Sequence, residues 1–318
     1  MEGTTPNAAL APGAGRPGKI AGKIVQRDRA VFCAAGYALV TLYGLLCVLP
    51  FVLVLVTSFT SEAALMRHGY TFFIKEFSLE AYRLAFRNPQ RILWAYRNTV
   101  CATAVGSTLA VLIATMTGYV LQRKDFPQRN KFSLFFFFTT LFNGGLVPTY
   151  ILCARYLKFR NNYIALVLPL MFSVWNMIIA KSYIKSIPFE ITESAKVDGA
   201  NDVLIFYRLI LPLCKPLIAT LGLFSALAYW NDWYNTLLYI TKEERMSLQY
   251  FLQEMINSIQ ALKNLVSIGA TVDASLVSLP QETLKMGMTV ITTGPIILLY
   301  PFVQRYFVKG LTIGAVKG

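Results

Sequence analysis

Few side chains in this sequence are of a type that does chemistry, and their spacing does not assemble a catalytic centre. The string Gly13-Ala-Gly-Arg-Pro-Gly18-Lys19 has the G-x-x-x-x-G-K spacing of a phosphate-cradling loop. Ile20 stands where Ser or Thr would reach magnesium, no strand pattern precedes the string, and its surroundings are rich in Ala, Gly and Pro, so it does not read as an ATP site. The one histidine, His68, lies beside Arg67 in a polar stretch and reads as solvated. Cys33, Cys47, Cys101, Cys153 and Cys214 are scattered without a CxxC pair, which supports neither zinc nor a disulfide framework. No Ser, His and Asp arrangement and no metal-ligand spacing is present. The long apolar runs hold no ionisable side chain of the kind that binds coupling ions except Asp232. If the chain works in active transport, the ATP must be hydrolysed by another subunit.

The most informative stretch runs from Ser186 to Pro216. Pro188 suits the first turn of a helix, Glu190 and Glu193 complement its positive N-terminal end, and Gly199 is the residue expected where that helix stops in a left-handed turn. A second helix presents Val203, Phe206, Tyr207 and Ile210 on one side, and Pro212 limits it. The spacing predicts a helix-turn-helix lying across a membrane face. An interfacial amphipathic connector has the same pattern.

The membrane follows from composition. Of 318 residues, 55% are hydrophobic and 14% charged, against about 25% charged in ordinary globular chains. Disorder and a collagenous or disulfide-rich scaffold are excluded. The formal charge of +14 comes from short Lys and Arg clusters between apolar runs, which suits anionic lipid headgroups and not nucleic acid. Charge-free windows long enough to cross the bilayer predict six transmembrane helices at about 30–59, 98–122, 132–154, 161–181, 216–238 and 286–304. The expected fold is an all-α membrane protein with both termini on one side. Residues 1–29 form a basic tail that is not a cleaved signal peptide, because the apolar run after it is too long and lacks a small-residue cleavage site. Lys and Arg number 17 on the tail, 122–131, 181–215 and 305–318, against 13 on the other face. That weak excess favours cytoplasmic termini and a cytoplasmic 186–215 loop. Outside, 241–280 is polar enough to be wet, and Leu248, Leu252, Met255, Ile259 and Leu262 fall at helical spacing, giving a short helix that could dock on something outside.

The stretch between the fourth and fifth spans resembles the EAA loop of binding-protein-dependent ATP-binding-cassette importer permeases. Glu193, Ala195, Asp198, Gly199, Ala200, Phe206, Ile210 and Pro212 fall in register, with Ser194 at the second Ala of that motif. The segments Asn143–Tyr150, Trp230-Asn231-Asp232 and Tyr300–Gly318 extend the resemblance over nearly the whole chain after the tail. They are similar to the carbohydrate-importer branch, in particular its second maltose-type permease subunit and the lipoprotein-type sugar permeases.

The resemblance implies a non-hydrolytic permease subunit in a bacterial cytoplasmic membrane, with ATP and magnesium held by a partner and no cofactor on this chain. Its implied partners are a second homologous permease, two ATPase subunits, an extracellular sugar-binding protein and membrane lipid. Glu193, Ala195, Asp198, Gly199, Ala200 and Phe206 would form the coupling helix, with Phe206 and Tyr207 packed in the ATPase cleft or in the bilayer surface. Gln304, Arg305, Lys309 and Gly310 of the 305–318 tail would reach the ATPase, or the tail would be a frayed end. Trp230, Asn231 and Trp233 would offer a sugar a stacking face and polar groups, or anchor the helix end at the interface. A secondary carrier, a permease for a non-sugar solute, and a membrane-embedded enzyme or anchor are the competing readings.

Overall fold

The computed structural model describes residues 19–267 and 280–297. Among these residues there is no β-strand, only an isolated antiparallel bridge between Thr60 and Phe77. The chain divides into two compact units, Met1–Leu53 and Val54–Gly318. The first carries most of α1 (Lys19–Ser58), whose side chains from Val31 to Pro50 are all exposed, as expected of a helix solvated by lipid.

The second unit begins with two short helices, α2 (Glu62–His68) and α3 (Glu80–Ala85), followed by α4 (Pro89–Gln122). At 34 residues α4 is about 50 Å long. Gly106, Ala110, Ala114 and Gly118 lie four residues apart along it and are all buried, forming a stripe of small side chains. Apolar burial gives little drive for helix association in lipid, so close backbone approach and dispersion must supply it. The Tyr229 ring covers Gly106, where a Cβ would fall 2.3 Å from it, and a Cβ on Gly118 would lie 2.8 Å from the backbone nitrogen of Lys181. The stripe thereby seats α4 against α8 (Val174–Lys185) and α12 (Lys215–Trp230).

Between α4 and α8 the chain is broken by turns. The third expected span, 132–154, is not one rod: α5 (Arg129–Leu141) and α6 (Leu146–Ile151), which runs on as a wide π turn over Leu152–Tyr156, bend by 110°. Asn143-Gly144-Gly145 makes the bend. Gly145 has φ +86°, and its N–H donates to Asn143 Oδ1 at 2.9 Å. The fourth span is α7 (Ile164–Val167), a 3₁₀ turn at Leu168–Leu170 containing Pro169, and α8, bent by 51°. Ser173 caps α8 by accepting from the Asn176 N–H.

After α8 come α9 (Glu190–Val197), α10 (Asp202–Ile205), a π turn at Phe206–Ile210, α11 (Leu211–Leu213) and α12. The segment Asp202–Leu213 meets α12 at 83°. Asn231 ends α12 and the chain resumes helix at α13 (Tyr234–Tyr239), so the fifth expected span is also interrupted. Of the expected sixth span, residues 281–297 are helical and the remainder lies outside the described residues. The helix at 281–297, α15, is capped by the Glu62 carboxylate, which accepts from the backbone N–H groups of Glu282 and Thr283 at 3.0 and 2.9 Å.

The amphipathic helix expected at 248–262 is α14 (Leu248–Ser267). Its apolar face packs within the chain. Leu248, Phe251 and Ile259 are buried with Ile92, Ala95, Trp230, Leu284 and Met288. Buried Asn98 on α4 pins the approach to α14 by donating to the carbonyls of Glu244 and Met246 at 2.8 and 3.0 Å, and Thr99 Oγ1 accepts from Leu248 N–H.

Gly118→Ala is expected to destabilise the protein by about 1–3 kcal/mol, because its methyl group meets backbone rather than a movable side-chain tip. Gly222→Ala, with open space around its Cβ position, serves as the neutral control. Thermal unfolding of both variants in detergent checks the difference.

Candidate functional site

The turn between α9 and α10 explains the spacing of its motif. Asp198 ends α9 and Gly199 takes φ +81°. The Ala200 N–H donates back to the Ala195 carbonyl at 2.9 Å, and the Gly199 N–H to the Lys196 carbonyl at 3.0 Å. This pair of bonds is the Schellman arrangement, in which the residue after the left-handed glycine also packs on the third residue from the helix end. Ala195 is buried and Ala200 packs against its cluster, so both alanines are set by that contact. Asn201 then caps α10, its side chain accepting from Leu204 N–H at 2.8 Å.

Burial divides the segment into a root and a tip. Ala195, Ile205, Phe206 and Ile210 join Val111, Ala114 and Tyr119 of α4 and Ala180 and Ile184 of α8 in one core cluster. Glu193, Asp198 and Gly199 are exposed, as are Val197 at 87% and Val203 at 66%. The expected one-sided face of Val203, Phe206, Tyr207 and Ile210 is therefore split: Phe206 and Ile210 point into the core, and Val203 and Tyr207 line a pocket. The cause is the π turn, closed by the Leu211 N–H donating to the Phe206 carbonyl. Pro212 has no N–H to donate, and its ring would clash with the carbonyl four residues back; the wider turn relieves both.

A charge cluster ties this root to the end of α4. Arg123 stands immediately after α4 and pairs with both Asp125 and Asp202, its Nε reaching Asp125 Oδ1 at 2.8 Å. Lys196 Nζ lies 2.8 Å from Asp125 and 3.9 Å from Asp202. The Arg123 guanidinium also sits 5.7 Å above the Tyr119 ring, which packs on Phe206 with centroids 5.5 Å apart. Lys124 lies over the Phe189 ring at 5.4 Å. The guanidinium of Arg123, then Lys196, holds the Asp125 carboxyl well below the usual carboxylate range, and Asp125 in turn raises Arg123. Because the folded value is depressed, this contribution is present above the ordinary carboxylate pKa and is lost only as pH falls through the lowered one, so the cluster stays charged at physiological pH. Exposed pairs of this kind contribute roughly 0–1 kcal/mol each; their role here is to fix geometry. Beside them is a pocket of about 380 Å³ between Met116, Tyr119, Val120, Phe126 and Tyr207. Burial pushes the Cys214 thiol up to about 11, which leaves it protonated and inert.

Arg123, Asp125, Lys196, Asp202 and Tyr119 do not stand out in the sequence. The available signal was the run Arg123-Lys124-Asp125 directly after an uncharged helix, and Lys196 and Asp202 flanking Gly199.

The other expected site residues separate. Trp230 is buried among α14 and α15 side chains and its indole N–H donates to the Thr292 carbonyl at 3.0 Å, so it offers no stacking face. Asn231 is exposed and accepts from Gln249 Nε2. Trp233 is exposed and lines a groove of about 310 Å³ with Tyr250, Gln253, Asn257 and Ser258. Asp232 accepts from the Asn235 backbone and side chain. Gln304, Arg305, Lys309 and Gly310 lie outside the described residues. Among the described residues no cluster of His, Cys, Asp or Glu could hold a metal.

The chain is similar to known proteins. The chain is 34% identical over 286 residues to the polygalacturonan/rhamnogalacturonan transport system permease protein YtcP of Bacillus subtilis (strain 168), covering 89% of this chain and 96% of that one. It is 35% identical over 275 residues to Protein LplC of the same organism, covering 86% and 91%. Among solved structures it is similar to a chain in the crystal structure of a bacterial ABC transporter involved in the import of the acidic polysaccharide alginate. That match has a TM-score of 0.73 and 26% identity, and covers 88% of this chain and 98% of the other. Residues 106–313 match the family described as binding-protein-dependent transport system inner membrane component. The chain belongs to that family, the inner-membrane permeases of bacterial ABC importers.

Proposed function

We propose that this chain is a permease subunit of an ATP-driven importer of oligosaccharides or polysaccharide fragments, and that α9 and α10 are the segment through which an ATPase moves it. The observation that carries the second point is the division of this segment: an exposed apolar tip, Val197 and Val203, on a root buried against α4 and α8. A tip of that kind suits a cleft in a partner, and a root of that kind passes a rigid displacement to α4 and α8. Glu193 and Asp198, exposed beside the tip, supply charge for a basic partner group. The cargo assignment rests on the named specificities of YtcP and the alginate importer.

In this reading six spans place both termini in the cytoplasm, and two ATPase subunits, a second homologous permease and an extracellular sugar-binding protein complete the assembly. The tail residues Gln304, Arg305, Lys309 and Gly310 extend the ATPase contact. The outward face of α5, in which no residue is buried, suits either lipid or the second permease. Trp233, with Asn231, Tyr250, Gln253 and Asn257, combines an aromatic plane with amide donors and acceptors, which suits the apolar face and hydroxyls of a sugar ring.

Gly199→Pro forces φ to about −65° and removes the N–H bonded to Lys196. It is expected to leave membrane insertion intact and to abolish uptake while ATP hydrolysis persists, read as sugar accumulated per ATP in proteoliposomes; uptake at the wild-type level would refute the coupling role. A working variant in vesicles without ATP would instead identify a secondary carrier. Arg123→Gln frees Asp125 and Asp202 from their shared partner and is expected to lower uptake per ATP several-fold, with little change in unfolding temperature. Parallel transport and melting assays separate those two effects.

A further inference from the structure

Near the start of α4, the loop after the first π turn holds Lys158 and Asn161 at φ +56° and +54°. Residues with side chains rarely adopt this left-handed conformation, and lysine has no special tolerance for it. The loop is held there from several sides. Phe159 is buried with Cys153, Leu166, Tyr239 and Met246. Asn161 N–H donates to the Tyr239 carbonyl at 2.8 Å, and its Oδ1 accepts from the N–H groups of Thr241 and Lys242 at 2.8 and 3.1 Å. Strain that persists because the surroundings over-determine it is characteristic of functional positions.

What the clamped loop displays is positive charge. Arg155, Lys158 and Arg160 are exposed, and residues 153–163 contain no carboxylate. Arg97 Nη2 donates to Tyr163 Oη at 3.2 Å and the Arg245 guanidinium lies 5.3 Å over the Tyr163 ring, which brings two further cations to the same turn. Among the described residues none of these five makes an ion pair, whereas Arg91, Arg123, Lys196 and Lys285 all do. On the reading above this loop faces outward, where short loops are normally poor in Lys and Arg. Three cations kept there against that bias call for an anionic partner.

We infer that Arg97, Arg155, Lys158, Arg160 and Arg245 form a cationic docking face for an acidic surface of the sugar-binding protein. The inference rests on the importer reading. Sugars are held in walled, concave sites; Arg155, Lys158 and Arg160 stand exposed on a clamped turn, which suits steering and registering a protein of opposite charge.

The test uses the assembled transporter in phosphatidylcholine nanodiscs, titrated with its sugar-loaded binding protein while ATPase stimulation is followed. Combined Arg155→Gln, Lys158→Gln and Arg160→Gln substitution is expected to raise the half-stimulating concentration about tenfold at about 50 mM salt. The difference should largely vanish at about 500 mM, with the maximal stimulated rate unchanged, which also shows that the variant is folded. Superimposable titrations at low salt would overturn the inference. So would a shift seen only when phosphatidylglycerol is added to the nanodiscs, since the face would then be reading lipid headgroups. If no loaded binding protein stimulates the wild-type assembly, the importer reading itself falls, and the docking face with it.

Discussion

Everything in the second unit is organised around how closely α4 lets its neighbours approach. Lipid solvates leucine as well as another helix does, so helices in a membrane meet where backbones can touch. The four-residue repeat Gly106, Ala110, Ala114, Gly118 provides that contact along more than three turns, and both α8 and α12 use it. The polar residues on the same helix then secure particular neighbours: Asn98 and Thr99 hold the start of α14, and Thr115 returns its hydroxyl to the helix's own carbonyls.

The two ends of this helix meet different surroundings. Near its start it is bound to an amphipathic helix whose apolar face is spent within the same chain, leaving Gln253, Asn257 and Trp233 at the surface. At its other end, Arg123 reaches α10 directly through Asp202 and α9 by way of Asp125, which pairs with Lys196. The turn is therefore tied to Tyr119 and Arg123 together, one through packing and one through charge. Since Asp125 remains ionised well below neutrality, that linkage does not loosen with changes of pH around neutrality.

Much of this was legible in the sequence, and the reason differs from place to place. The Gly199 turn is local: five or six residues determine a Schellman cap, and the capping carboxylates, glycine and alanine spacing announce it. Family membership was equally readable, because the same residues recur in register across two dozen positions. The breaks in the expected spans were underread. Hydropathy sums over a window and cannot see that Asn143-Gly144-Gly145 turns the chain by 110°, although that tripeptide inside an apolar run is a turn signal in its own right. The burial of Trp230 was not legible, because an aromatic residue at a helix end suits an interface, a ligand and a core equally well, and its bond to the Thr292 carbonyl is formed by a residue 62 positions away. The Arg123 cluster joins residues about 80 positions apart, a distance over which one sequence carries no pairing signal.

The wide turn at Phe206–Ile210 has an evolutionary corollary. It accommodates one amino acid more than an α turn of the same length would, so the gene has a natural place to lose a codon without breaking the helix. Such a deletion would close the wide turn to an ordinary α turn and leave the faces on either side of it in register. Length polymorphism at this spot among descendants should thus be tolerated by the helices on either side, making the turn a hinge of lineage as much as of structure.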